Sequence, residues 1–172
     1  MGFPIPGPIW AADPVGHDGG LRSGTSVADP DDGSLDREWF YANLDCMDKP
    51  PRTAAPSPDE FLAAYKDLVA EGAEEILGLF LSGKLSSIKN NAGLAAERLE
   101  GAQVHIVETG QVSMGIGWLA IEAANAIAQG ASALEVLKLV KDMRARTIVL
   151  GMLDSLEYLW RGGRVGWARA WL

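Results

Sequence analysis

The chain has 172 residues, 48% apolar and 22% charged, which suits one globular domain with a proper core. Fifteen Lys and Arg against 23 Asp and Glu leave a net charge of −8, which argues against nucleic acid as a partner. Cys46 is the single cysteine, no apolar run approaches the ~20 residues of a membrane span, and the N-terminus lacks a secretory pattern, so a disulfide, stable membrane insertion and export are not expected and a reducing cytoplasm is the simplest compartment.

Residues 1–33 hold many glycines, prolines and aspartates with no helical or alternating period, and are expected to be irregular or disordered. A folded domain is expected over residues 34–172. Residues 34–44 read as a short helix with Trp39, Phe40 and Leu44 as its apolar edge, ended by Pro50 and Pro51. Ser57, Pro58 and Glu60 form a capping box with proline at the first helical position, and Phe61, Leu62, Tyr65, Leu68 and Val69 continue a helix that Gly72 stops. The uncharged run Ile76–Leu81 suits a strand covered on both faces, as in a parallel sheet.

Ser82, Gly83, Lys84, Leu85, Ser86 and Ser87 then make a polar turn, from which a helix resumes with Ile88, Ala92, Ala95 and Leu99 on one side and Gly101 as its stop. Residues 104–107 predict a second strand. Residues 113–129 predict a largely apolar helix ended by Gly130. Ser132 and Glu135 cap another helix carrying Leu134, Leu137, Val140 and Met143 to about Arg146. Residues 147–153 predict a third strand, and a short helix through Trp160 stops at Gly162 and Gly163. Alternating strands and helices with short links predict a three-layer α/β/α fold with a mainly parallel sheet.

The chemistry concentrates in the turn after Ile76–Leu81. A strand, a glycine-containing turn rich in hydroxyls and a helix N-terminus make an anion site, because unpaired N–H groups and the helix dipole point into the turn. Such carboxyl ends of strands are where open α/β sheets bind ligands. His17 and His105 fall in unpromising places, and the sequence holds no metal-ligand spacing, no Ser/His/Asp set and no phosphate-loop signature.

Four segments in order resemble the DegV family of fatty-acid-binding proteins. Thr53-Ala-Ala-Pro-Ser-Pro-Asp-Glu-Phe61 is similar to the family's Thr-Ser-Gln-Pro-Ser segment, and Leu81-Ser-Gly-Lys-Leu-Ser-Ser87 to its Leu-Ser-Ser-x-Leu-Ser-Gly turn. Ser113-Met-Gly-Ile-Gly117 resembles the start of its next long helix, and Leu156–Gly166 its Leu-x-x-Leu-x-x-Gly-Gly-Arg-Ile-Gly segment. The resemblance implies a bacterial cytoplasmic carrier, not an enzyme, with no cofactor. It would hold one long-chain fatty acid such as palmitate, tail in an internal tunnel and carboxylate on hydroxyls, and present it to a fatty acid kinase for phospholipid synthesis. By position, Thr53, Ser82 and Ser86 match the carboxylate-binding segments, and Arg164 matches an arginine near the head group and the kinase-facing surface.

There are departures. Nothing in residues 1–33 matches the family's opening strand, Ala54 and Ala55 replace Ser-Gln, and Ser87 and Ile88 replace Gly-Thr. The resemblance covers most of the family's first domain and leaves the second outside the chain. Trp167, Trp171 and Leu172 then form an apolar helix face without cover, which predicts self-association or a fragile fold. A tail of about 15 carbons at ~0.8 kcal/mol per methylene gives roughly 11–12 kcal/mol before costs, so the tail supplies affinity and the hydroxyls fix its orientation. Blander readings stay open: Ser57 as a cap, Ser86 as the N-cap of its own helix, and Arg164 as a donor to helix-end carbonyls. Two other functions also stay open, an enzyme binding a phosphorylated metabolite at the same turn and a truncated product without a ligand.

Overall fold

A computed structural model of the chain describes residues 37–46 and 55–166; the expectations for residues 1–33, for Thr53, and for Trp167, Trp171 and Leu172 lie outside the described residues. In chain order the elements are α1 (Arg37–Asn43), α2 (Pro58–Ala70), β1 (Glu75–Phe80), α3 (Ile88–Ala96), β2 (Gln103–Glu108), α4 (Met114–Ala128), α5 (Ala133–Arg146) and α6 (Glu157–Arg161), with a 3₁₀ turn at Leu44–Cys46. They fall into two compact units, one of residues 57–151 and one that takes in the described residues 37–46, 55–56 and 152–166.

In the first unit β1 and β2 pair in parallel, with Glu75 opposite Gln103 and Phe80 opposite Glu108. The pleat sends Ile76 and Phe80 to one face and Leu77 and Leu79 to the other. Phe80 meets Phe61 of α2 edge to face, with ring centres 6.0 Å apart, and the small buried side of α3, Ile88, Ala92 and Ala95, closes against α2. Leu77, Leu79 and Val107 pack on the other side against Ala123 of α4 and Val136 and Val140 of α5. Helices on both faces of a parallel sheet make the three-layer α/β/α arrangement that the alternating pattern predicts. Within β1, Gly78 is required by close approach: the Phe80 ring lies where a side chain would begin, 2.6 Å from that position.

The helix ends follow their sequence signals. Ser57 Oγ accepts the Glu60 N–H while the Glu60 carboxylate takes the Ser57 N–H at 2.7 Å, so two of the orphan donors at the start of α2 are satisfied. The Ser57 N–H and hydroxyl hold the Glu60 carboxyl below its ordinary value. At the start of α5 the Glu135 carboxylate accepts from the Ser132 hydroxyl at 2.7 Å and the Ser132 N–H at 2.8 Å. The stops at Gly72 and Gly130 have positive φ, which glycine adopts without the steric cost of a Cβ, whereas α3 ends earlier than expected, at Ala96, so that Leu99 and Gly101 lie beyond the helix.

Two expectations are corrected. Residues 147–153 are not a third strand: among the described residues they join no ladder, and Ile148 and Leu150 are 81% and 91% exposed. The β-branched composition is present, but a strand needs a partner, and here the Thr147 carbonyl accepts the Gln111 side-chain amide at 2.9 Å while the Thr147 hydroxyl donates to the Met143 carbonyl. In α5 the inward residues are Val136 and Val140, whereas Leu134 is 77% exposed because at about 100° per residue it falls well away from the face that those two valines define.

In the second unit, α1 occupies the middle of the predicted 34–44 helix. Short α6 ends at Gly162 and Gly163, the latter with φ of +74°. No helix among the described residues is long and apolar enough to cross a membrane.

Candidate functional site

β1 ends at Phe80, and the chain turns through residues 81–87 before α3 begins at Ile88. The Ser82 carbonyl closes the turn by accepting the Leu85 N–H at 2.9 Å and the Ser86 N–H at 3.3 Å, and the Ser82 hydroxyl accepts the Lys84 N–H at 3.3 Å. Ser86 Oγ accepts the Ile88 N–H at 3.3 Å, so Ser86 serves as a side-chain cap for α3. Ser87, the residue adjoining the helix, has helical backbone angles and makes no side-chain cap. Capping uses a lone pair of the Ser86 oxygen, whereas a carboxylate ligand takes an O–H, so the two roles draw on different parts of one hydroxyl.

The anion site expected at this turn is lined by an anion of the protein itself. Glu108 ends β2, opposite Phe80 in the parallel register, and its carboxylate reaches across to accept the Gly83 N–H at 2.9 Å and the Lys89 ammonium at 2.7 Å. The Lys89 hydrogen bond first, then the Gly83 N–H, pulls the Glu108 carboxyl from its ordinary 4.5 to about 2, with the Ser82 hydroxyl acting in the same direction. The pair is partly exposed, with about a third of each side chain in contact with solvent. This bond ties the loop after β1 to the end of β2 and places a fixed negative charge beside the hydroxyls.

Thr109 completes the junction. It is 1% exposed; its N–H and its hydroxyl each donate to the Phe80 carbonyl at 2.8 Å, and its oxygen accepts the Gln111 N–H at 3.1 Å. The carboxyl ends of both strands are thus held by one buried threonine. Ser113, four residues on, opens α4 with φ of +51°, a left-handed angle unusual for a residue with a side chain.

Ser82 and Ser86 therefore share one turn, as the sequence expects. Arg164 lies in the second unit, half-buried, where its backbone N–H donates to the Leu159 carbonyl at 2.9 Å and its guanidinium lies against Gly162. Glu108, Lys89 and Thr109 are the site residues that sequence reasoning missed. The available signal was an acid and a threonine directly after the apolar strand Val104–Val107, at the strand end where ligands bind.

A cleft of about 190 Å³ lies instead at the amino end of the sheet, lined by Glu75, Leu77, His105, Ile127, Val136 and others, with His105 Nε2 2.7 Å from the Glu75 carboxylate. It is smaller than the ~300–1,000 Å³ of typical ligand pockets and sits at the opposite end of β1 from the serines. Among the described residues no group of three His, Cys, Asp or Glu side chains forms a metal site.

The chain resembles proteins already known. A DegV domain-containing protein of Streptomyces coelicolor is 34% identical over 122 residues, which cover 71% of this chain and 43% of that one. A DegV family protein from Thermus thermophilus, described for its fatty acid binding, superposes with a TM-score of 0.71 at 33% identity, over 78% of this chain and 48% of that one. A DegV family protein from Eubacterium eligens, solved loaded with heptadecanoic acid, shares the fold with a TM-score of 0.72 at 23% identity, over 82% of this chain and 51% of that one. The chain thus spans about half the length of these relatives. The family description "Uncharacterised protein, DegV family" matches residues 24–172, and the chain belongs to the DegV family.

Proposed function

We propose that this chain binds one long-chain fatty acid such as palmitate, as a cytoplasmic carrier and not as a catalyst. The carboxylate rests on the hydroxyls of Thr53, Ser82 and Ser86, and Arg164 contributes charge toward the head group or toward a fatty acid kinase that receives the ligand. The observation that carries the reading is the hydroxyl-bearing turn at the carboxyl end of β1, in a chain 33% identical to a Thermus protein described for fatty acid binding. Hydroxyls suit a monocarboxylate: each donates one hydrogen bond and adds no charge, so orientation comes from the turn and affinity from the buried tail. A phosphorylated metabolite fits less well, because Glu108 already takes the Gly83 N–H that would grip a phosphate.

The test is hexadecanoate binding by calorimetry to the wild-type chain and to the double variant Thr53→Ala, Ser86→Ala, with thermal melts to account for the cap that Ser86 gives α3. A loss of tenfold or more in affinity, with the variant still folded, is expected. Unchanged affinity in a folded double variant would remove the head-group assignment.

A further inference from the structure

We propose that Glu108 sets the charge selectivity of the turn, so that it holds a singly charged carboxylate and rejects a doubly charged phosphate head group. This inference rests on the fatty-acid reading of the same turn.

The argument begins with position. The register places Glu108 at the end of β2 beside the end of β1, and the 2.9 Å bond to the Gly83 N–H fixes its carboxylate on the turn that also carries Ser82 and Ser86. Hydrogen bonds keep this carboxyl ionised over the whole working range of pH. Lys89, at 2.7 Å, offsets part of that charge and is itself engaged in doing so. Lys84 on the same turn is exposed, so its charge is largely screened.

An incoming anion therefore meets hydroxyls beside a carboxylate that is held on the turn itself and only partly compensated by Lys89, with the Gly83 N–H already used. Phosphate sites are built the other way, from N–H groups and uncompensated cations aimed at the ligand. A carboxylate tolerates this turn because it brings one negative charge and accepts O–H donors. A phosphate monoester brings nearly two, its second pKa being about 6. At a separation within about 10 Å, the additional charge facing Glu108 weakens binding by roughly 3–20-fold, depending on screening.

The experiment compares hexadecanoate with hexadecyl phosphate by calorimetry at pH 8 and low salt, on the full chain, on Glu108→Gln and on Lys89→Met. Glu108→Gln keeps a carbonyl oxygen for the Gly83 N–H while removing the charge. It is expected to narrow the carboxylate-over-phosphate preference by 3–20-fold. Lys89→Met leaves Glu108 uncompensated and is expected to widen it, which keeps a test available should the other variant fold poorly. A preference that stays the same in both variants, with hexadecanoate still bound, overturns the inference and leaves the fatty-acid reading standing. Equal weakening of both ligands by Glu108→Gln marks a purely structural role and also overturns it. Failure of the wild-type chain to bind hexadecanoate overturns the fatty-acid reading and this inference with it.

Discussion

Thr109→Val removes the hydroxyl that joins the two strand ends while keeping nearly the same shape, so its effect isolates hydrogen bonding from packing. Two bonds disappear, the 2.8 Å donation to the Phe80 carbonyl and the 3.1 Å bond from the Gln111 N–H. Their losses are unequal in kind. The Phe80 carbonyl keeps the Thr109 N–H at 2.8 Å and is merely under-satisfied, whereas the Gln111 N–H loses this acceptor at a half-buried position that water reaches in part. Each net loss is of order 1 kcal/mol, so the variant is destabilised by about 2 kcal/mol. For a chain of this size that corresponds to a fall in melting temperature of about 4–8 °C. Thr109→Ser keeps both bonds and gives up one buried methyl, which costs about 1 kcal/mol. Differential scanning calorimetry of the three proteins decides the matter. A Thr109→Val protein melting within 1 °C of wild type, or melting above Thr109→Ser, would refute the reasoning.

Ser113→Gly relieves a left-handed backbone angle that glycine adopts freely; urea titration is expected to show a gain of about 1 kcal/mol, and a loss would show that the Ser113 side chain stabilises the start of α4. Acid stability follows from Glu60, Glu108 and Glu135, whose carboxyls are lowered by Ser57, Lys89 and Ser132 respectively. A lowered folded value means stability fully present above about 4.5 and lost as pH falls through the folded value, which for Glu108 is about 2. The urea midpoint should therefore hold steady from pH 7 to 5.5 and decline between pH 4.5 and 2, and a midpoint that rises on acidification over that range would contradict the assignment.

The run from Ser57 to Arg146 was legible because its signals are local. Capping pairs such as Ser57 with Glu60, proline at the first helical position and glycine stops act within one turn of chain and need no tertiary partner. Residues 147–153 carry strand composition, yet a strand is a pairing, and nothing in their own sequence says whether a neighbour takes the ladder. Leu134 shows a limit on a smaller scale, since several apolar residues at near-helical spacing do not say which of them point inward, and the buried face is the one of Val136 and Val140. Within the site, Ser82 and Ser86 were visible as hydroxyls on a glycine turn. Glu108 was not, because its partners Gly83 and Lys89 are 25 and 19 residues away and meet it only once β1 and β2 align in register. The consequence is chemical: a turn that reads as an open anion cradle is in fact lined by a carboxylate.

The most direct test of fatty acid binding is native mass spectrometry of the purified chain, followed by denaturing extraction of whatever accompanies it. The account predicts a long-chain fatty acid at one per chain, lost from the double variant Thr53→Ala, Ser86→Ala. A wild-type chain that flies empty and stays empty after incubation with hexadecanoate would contradict it.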